Sequence, residues 1–168
     1  RSLLPERWRA ARSDAPADPE LPPAMTRETI AIASDHAGVA LKALLAEEVE
    51  RLGYQPLDLG THGTQSVDYP DFGRAVAKAV ADGQARFGVA ICGTGIGISI
   101  AANREPLVRA ALCHDVTTAR LARQHNDANV LALGARTIGN EVALDCLRTF
   151  LATAFEGGRH TARVAKLS

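Results

Sequence analysis

Residues 89–101 read Val89-Ala90-Ile91-Cys92-Gly93-Thr94-Gly95-Ile96-Gly97-Ile98-Ser99-Ile100-Ala101. An apolar run of strand character ends at Cys92, three glycines follow at alternate positions, and a second apolar run has the character of a helix. This order places a thiol beside the unpaired N–H groups at a helix start, where the helix dipole adds partial positive charge. Such surroundings stabilise a thiolate and a developing oxyanion. The stretch therefore predicts a β/α unit and a cysteine that acts as a base or a nucleophile.

The same alternation of strand and helix continues along the chain. One helical pattern ends before Gly53, a second follows Asp71 as its predicted N-cap, and a last helix is predicted to be capped by Asn140. The β-rich runs lie at 29–34, 55–59, 87–92, 108–113 and 129–133. Several of these runs are nearly all apolar, as expected for strands covered on both faces. The pattern predicts a three-layer α/β/α, Rossmann-like domain with a five-stranded parallel sheet.

Composition limits the class of protein. The chain has 168 residues, 46% hydrophobic and 23% charged, and 19 basic residues balance 19 acidic ones. No polycation results, so nucleic acid is not an expected partner, and no apolar stretch approaches the ~20 residues of a membrane span. Three cysteines without framework spacing predict a reduced, cytoplasmic protein, with Cys113 and Cys146 in the core. The proline-rich residues 1–24 are predicted to be a flexible leader, and residues 25–168 one domain.

Polar residues follow several of the predicted strands. In a parallel sheet of this kind, ligands bind beyond the carboxyl ends of the strands. Asp35 and His36 follow the first strand, Cys92 ends the third, and Arg136 follows the fifth. Acid, imidazole, thiol and guanidinium are therefore predicted to converge on one edge. The histidines are scattered, without HxH or HExxH spacing, and CxxC is absent, so no required metal is predicted.

The glycine loop leaves alternatives open. The pattern Gly93-x-Gly95-x-Gly97 between strand and helix is close to a dinucleotide fingerprint, and Asp115 stands about where a ribose-binding acid would be. The spacing is not G-x-G-x-x-G, however. An anion-binding loop and a merely tight turn both remain compatible with these residues.

Seven short motifs occur in a characteristic order between Met25 and the C-terminus. They are Ser34-Asp35-His36-Ala37-Gly38, Asp68-Tyr69-Pro70, residues 91–99, Ala101-Ala102-Asn103, Arg123-Gln124-His125-Asn126-Asp127, Gly134-Ala135-Arg136 and Glu156-Gly157-Gly158-Arg159-His160. Together they resemble the type B ribose-5-phosphate isomerases, within a wider family that includes allose- and galactose-6-phosphate isomerases. The resemblance implies cofactor-free interconversion of an aldose phosphate and a ketose phosphate. Ribose 5-phosphate and ribulose 5-phosphate, of the pentose phosphate pathway in carbohydrate metabolism, are the leading pair.

The resemblance also implies a role for individual residues. Cys92 is expected to be the base at the carbon beside the carbonyl, Thr94 to assist proton movement between the oxygens, and His125 to open the sugar ring. The remaining residues are expected to contact the substrate. Sugar contacts are implied for Asp35 and Tyr69, phosphate contacts for His36, Arg136, Arg159 and Arg163, and enediolate contacts for Asn126 and the amides of Gly93, Gly95 and Gly97.

One part of this assignment does not fit a single chain. His125 and Asn126 follow a short helical pattern at 116–124, and Arg159 and Arg163 follow the last helix, so both pairs are expected at the edge opposite Cys92. A two-fold homodimer, or a dimer of dimers, with shared active sites would bring them to the partner's cysteine.

The alternative functions are an isomerase of a tetrose, allose or galactose phosphate, a non-catalytic nucleotide- or sugar-phosphate-binding module, and a dehydrogenase.

Overall fold

The computed structural model describes residues 26–168, so the predicted leader at 1–24 lies outside the described residues. Two short 3₁₀ turns at His36–Gly38 and Gly158–His160 add to the strands and helices. The strands are β1 (Thr29–Ser34), β2 (Gln55–Asp58), β3 (Phe87–Cys92), β4 (Ala110–Leu112) and β5 (Val130–Gly134). The helices are α1 (Val39–Arg51), α2 (Tyr69–Ala81), α3 (Ile96–Ala102), α4 (Val116–Asn126), α5 (Asn140–Ala152) and α6 (Thr161–Val164).

The five strands form one parallel sheet in the order β2-β1-β3-β5-β4, which confirms the predicted fold class. β3 is the central strand, and Cys92 at its end pairs in register with Gly134 at the end of β5. Val89 and Ile91 pack into one apolar cluster with α1, α4 and α5. Ala90 and Cys92 point to the other face and pack with residues of α2 and α3. The central strand is therefore buried on both faces, as its unbroken apolar sequence predicts.

Helix starts differ from the predictions at two positions. α2 begins at Tyr69 with Asp68 as its N-cap, so the prediction of Asp71 as the cap is wrong. Pro70 occupies the first turn, where its fixed φ suits a helix and its missing N–H costs nothing, so the helix begins earlier. α5 begins at Asn140 itself, with Gly139 before it as the N-cap. Asp71 instead lies in the first turn of α2, where a carboxylate is favourable beside the helix dipole.

The end of α4 lies beyond the predicted helical pattern. α4 continues to Asn126, and Asp127 terminates it in the left-handed conformation with φ of 46°. His125 therefore belongs to the last turn of a helix rather than to a loop. Aspartate is among the few non-glycine residues that adopt this conformation readily, which explains a stop at a position without glycine. Of the helices in residues 26–168, none has the length and hydrophobicity of a membrane-spanning segment.

Candidate active site

Three neighbouring strands bring their carboxyl ends together around Cys92. The amide of Asp35, after β1, donates to the carbonyl of Ile91 at 3.1 Å. The amide of Ala135, after β5, donates to the carbonyl of Cys92 at 2.9 Å, and that of Arg136 to the carbonyl of Gly93 at 2.9 Å. Asp35, Cys92 and Arg136 therefore lie next to one another at the centre of the sheet edge, and His36 follows Asp35 directly in the chain.

The sulfur of Cys92 accepts a hydrogen bond from the backbone. The amide nitrogen of Gly95 lies 3.1 Å from Sγ, and the residue is 4% exposed. An N–H that points at sulfur interacts more favourably with a thiolate than with a neutral thiol, because a charged acceptor forms the stronger hydrogen bond. The glycine turn thus supplies Cys92 with a donor in a nearly dry environment.

At two glycines of the loop, neighbouring atoms lie too close for a side chain to fit. A Cβ on Gly95 would lie 2.5 Å from Leu112 and 2.8 Å from the carbonyl carbon of Leu133, and its φ is +76°. A Cβ on Gly97 would lie 2.5 Å from the ring of Tyr69, which therefore packs directly against the backbone of Gly97. Tight packing therefore accounts for two of the three glycines, Gly95 and Gly97, without a dinucleotide.

The acid required by the dinucleotide interpretation is engaged elsewhere. The carboxylate of Asp115 accepts a hydrogen bond from the amide of Thr118 at 2.7 Å and forms a capping box at the start of α4. These hydrogen bonds also hold the pKa of Asp115 below its ordinary value. Asp115 is therefore a helix cap rather than a ribose contact.

Replacement of Gly95 by alanine is expected to destabilise the fold and to disrupt the loop. The positive φ costs about 1–3 kcal/mol, and the overlap with the Leu133 backbone adds a further penalty, because backbone atoms cannot move aside as a flexible side chain does. Urea unfolding should show a loss of at least about 3 kcal/mol. Gly53→Ala is the matched control, since Gly53 has φ of +92° but a Cβ there would meet no atom within 4 Å. Equal losses in the two variants would contradict this packing argument.

The residues predicted to contact sugar and phosphate border the same edge. The Asp35 carboxylate accepts from the amide of Ala37 at 3.0 Å and so also caps the turn that follows β1. Nδ1 of His36 accepts from the amide of Val67 at 3.2 Å, which leaves the proton of a neutral imidazole on Nε2 as a donor. Thr94 is exposed, and its Oγ1 accepts from the amide of Ile96 at 3.2 Å. We use the name thiol cluster for the residues around Cys92. It comprises Cys92 itself, Asp35, His36, Tyr69, Thr94, Arg136 and the glycine loop.

A second group of predicted site residues lies at the opposite edge. His125 and Asn126 are at the end of α4 and precede β5, whose last residue Gly134 pairs with Cys92. β5 runs from Val130 to Gly134, which spans about 13 Å at ~3.3 Å per residue. Within one chain, His125 is therefore at least the length of a strand away from the thiol.

This second group lines a half-open surface cavity of about 360 Å³, which we call the tail cavity. Its lining comprises His125, Asn126, Arg159, His160, Arg163, Val164 and Leu167. Arg159 and Arg163 are exposed, and neither makes an ion pair with any residue in the described range 26–168. Two guanidinium groups without a carboxylate partner suit an anionic ligand such as a phosphate.

A buried arginine fixes the helix end that carries His125. The Arg123 guanidinium donates to the carbonyl oxygens of Thr153 at 3.1 Å and Ala128 at 2.6 Å, and to Asp127 at 2.9 Å. It is 5% exposed and lies 4.7 Å from the ring centroid of Phe87. Arg123 belongs to one of the seven motifs, but its role could not be predicted, because its partners are mainly backbone carbonyls.

His160 lines the tail cavity but is not among the residues predicted from sequence to belong to the site. Its ring stacks on that of His125 with centroids 4.3 Å apart and planes 14° apart. Burial, followed by the neighbouring His125 and Arg159, holds the pKa of His160 below its ordinary value. Ligand atoms of His125, Glu156 and His160 lie within 4.8 Å of one another, a spacing that could suggest a metal. The lone pairs of an imidazole lie in its ring plane, however, and two nearly parallel planes do not converge on one ion as a tetrahedral site requires.

Comparisons with known proteins agree with one another. A family model described as Ribose/Galactose Isomerase matches residues 30–167. Ribose-5-phosphate isomerase B of Escherichia coli is 46% identical over 140 residues, which cover 83% of this chain and 93% of that protein. D-erythrulose-4-phosphate isomerase of Pectobacterium atrosepticum is 39% identical and covers 83% and 92%. A structure of Clostridium thermocellum ribose-5-phosphate isomerase B is 53% identical, with a TM-score of 0.82 over 83% of this chain and 94% of that one.

Proposed function

The chain belongs to the ribose/galactose isomerase family and is a sugar phosphate isomerase of the aldose–ketose type, and on that premise we propose that it interconverts ribose 5-phosphate and ribulose 5-phosphate through an enediolate with Cys92 as the base. The observation that carries this proposal is the 3.1 Å contact between the Gly95 amide and the Cys92 sulfur at the centre of the sheet edge. This contact holds the sulfur with a backbone donor at the point where substrates bind in such folds.

The reaction needs a base and a place for charge. The Cys92 thiolate takes the proton from C2 of the open-chain aldose, and the electron pair of that bond forms the enediolate with negative charge on O1. A proton passes from O2 to O1 with the help of Thr94, and the Cys92 thiol returns its proton to C1 to give the ketose. Donors placed at the developing oxyanion contribute about 3 kcal/mol each. The amides of Gly93 and Gly97 are the proposed donors, because the amide of Gly95 donates to the sulfur of Cys92.

The phosphate supplies binding energy that orients the reacting carbons. His36 follows β1 and Arg136 follows β5, the two strands that lie on either side of β3 and its Cys92. Arg159 and Arg163 are the cations of the tail cavity. These four residues are the proposed phosphate contacts. Asp35 and Tyr69 are the proposed sugar contacts, and Asn126 joins the glycine loop in holding the enediolate.

A shared active site in a two-fold dimer joins the thiol cluster to the tail cavity of the partner. Within residues 26–168, the thiol cluster and the tail cavity lie at opposite edges of the same sheet, so one chain does not bring them together. Exposed apolar side chains lie beside both groups. Ile96 within the glycine loop and Ile100 after it, both on α3, are each 52% exposed. Leu167, 59% exposed, lines the tail cavity. A two-fold contact would bury both apolar groups while completing two sites.

Turnover with a panel of sugar phosphates tests the proposed substrate. Erythrose 4-phosphate, ribose 5-phosphate and allose 6-phosphate should be compared by kcat/KM, with ketose formation as the readout, and the five-carbon substrate is expected to be preferred. One extra carbon changes binding by only ~1–3 kcal/mol, so the other two substrates can retain measurable turnover. A preference for the tetrose or the hexose would contradict the substrate assignment. Binding without turnover would favour the non-catalytic module, and binding of a nicotinamide nucleotide would favour a dehydrogenase.

Replacement of His125 by alanine is expected to separate ring opening from proton transfer. Ribose 5-phosphate is mostly cyclic, whereas erythrose 4-phosphate carries its phosphate on the oxygen that would close a furanose ring and stays open. The variant should therefore lose about 100-fold in kcat with ribose 5-phosphate, a typical contribution of an acid–base residue, and much less with erythrose 4-phosphate. An equal loss with both substrates would contradict a ring-opening role.

A further inference from the structure

The tail cavity contains a second histidine for which the proposed mechanism has no use. His160 is 6% exposed, and its imidazole lies face to face with that of His125 at 4.3 Å and 14°. Two imidazoles in such a stack occupy fixed positions relative to each other. This contact links the C-terminal segment to the proposed ring-opening residue.

A backbone hydrogen bond connects the segment that contains His160 to α4, the helix that carries His125. The amide of Glu156 donates to the carbonyl of Gln124, the neighbour of His125 in α4, at 3.1 Å. The amide of His160 donates to the carbonyl of Gly157 at 3.0 Å, and its Nε2 lies 3.7 Å from a carboxylate oxygen of Glu156. His160 is thus held independently of its own stacking contact, which is what a support for another side chain requires.

We propose that His160 is a positioning residue that fixes the plane of the His125 imidazole for opening of the sugar ring. The terminal torsion of a histidine is broad, so a half-exposed ring such as that of His125 has rotational freedom unless a neighbour restricts it. A flat ring stacked on one face removes this freedom. Because misplacement of a catalytic group by about 1 Å can cost about 100-fold in rate, such a restriction is worth a large factor.

The charges around His160 agree with a stacking role. His125, Arg159 and Arg163 all disfavour a cation at this position, and only Glu156 favours one. Burial is the largest cause that lowers the pKa of His160, and these charges add to it. An uncharged ring can stack on His125 without adding a third cation beside the two arginines. The role proposed for His160 rests on the proposed function, because it serves the ring-opening step.

Two substitutions at His160 separate flat stacking from other roles. His160→Ala removes the stacked ring, and His160→Phe keeps a flat ring that carries no proton. With ribose 5-phosphate, kcat of His160→Ala is expected to fall at least about tenfold, and that of His160→Phe to stay within about threefold of the wild type. Turnover of erythrose 4-phosphate and inhibition by the open-chain acid 5-phospho-D-ribonate should change little in either variant, because neither compound requires ring opening.

The two open-chain compounds also report on the fold of the tail, since Arg159 and Arg163 would bind their phosphates. Equal losses with ribose 5-phosphate and erythrose 4-phosphate, with weaker inhibition by 5-phospho-D-ribonate, would overturn the positioning role in favour of a general packing role. A Phe variant as impaired as the Ala variant would overturn it in favour of proton transfer by His160. Wild-type protein inactive on ribose 5-phosphate would overturn the proposed function, whereas an active wild type and an equally active Ala variant would overturn only this inference.

Discussion

The Cys92→Ala variant is expected to lose at least about 1,000-fold in kcat with ribose 5-phosphate, within the range that a general base contributes. The reason is chemical: in the described range no other titratable group accepts a hydrogen bond from the glycine loop at the centre of the sheet edge. The same variant should also lose turnover of erythrose 4-phosphate, because proton transfer is required whether or not the ring must open. Loss with both substrates distinguishes Cys92 from His125.

Two other thiols provide matched controls for this substitution. Cys113 and Cys146 are buried in the core, and burial raises the pKa of each to about 11, so both remain protonated near neutral pH. Cys146→Ala removes a sulfur from α5 and is expected to keep near-native kcat with a modest loss of stability. Cys92→Ala should still bind 5-phospho-D-ribonate, because the phosphate contacts are intact. Near-native turnover of Cys92→Ala would show that another group is the base.

The sheet was predictable from sequence because its strands are buried on both faces. β1 and β3 match their predicted ranges at both ends, since each apolar run is bounded by polar residues or glycine. The helix boundaries were less predictable. α4 ends at an aspartate in the left-handed conformation, which only the folded contacts of Asp127 with Arg109 and Arg123 reveal.

The candidate site was predictable to the extent that it depends on topology. Residues that follow parallel strands must meet at one edge, so Asp35, Cys92 and Arg136 could be grouped from strand order alone. The stack of His160 on His125 could not, because it joins residues 35 positions apart through a contact between a helix end and the C-terminal segment. Its one sequence signal is the presence of His160 in the motif that also contains Arg159.

The second large effect expected is recovery of activity when two inactive variants exchange subunits. In a Cys92→Ala/His125→Ala heterodimer with shared sites, one site carries both substitutions and the other carries neither. Random exchange of equal amounts makes half of the dimers mixed, so about a quarter of wild-type activity should return. Sites confined to single chains would give no recovery, because each chain of the mixed dimer lacks one essential residue.

Complementation with tagged subunits therefore tests the shared thiol site most directly. The control mixes Cys92→Ala with the Cys92→Ala, His125→Ala double variant, which forms mixed dimers that contain no thiol base and should stay inactive. We predict about a quarter of wild-type turnover of ribose 5-phosphate in the first mixture and background turnover in the second. Background turnover in both mixtures, despite mixed dimers demonstrated by the two tags, would contradict the account.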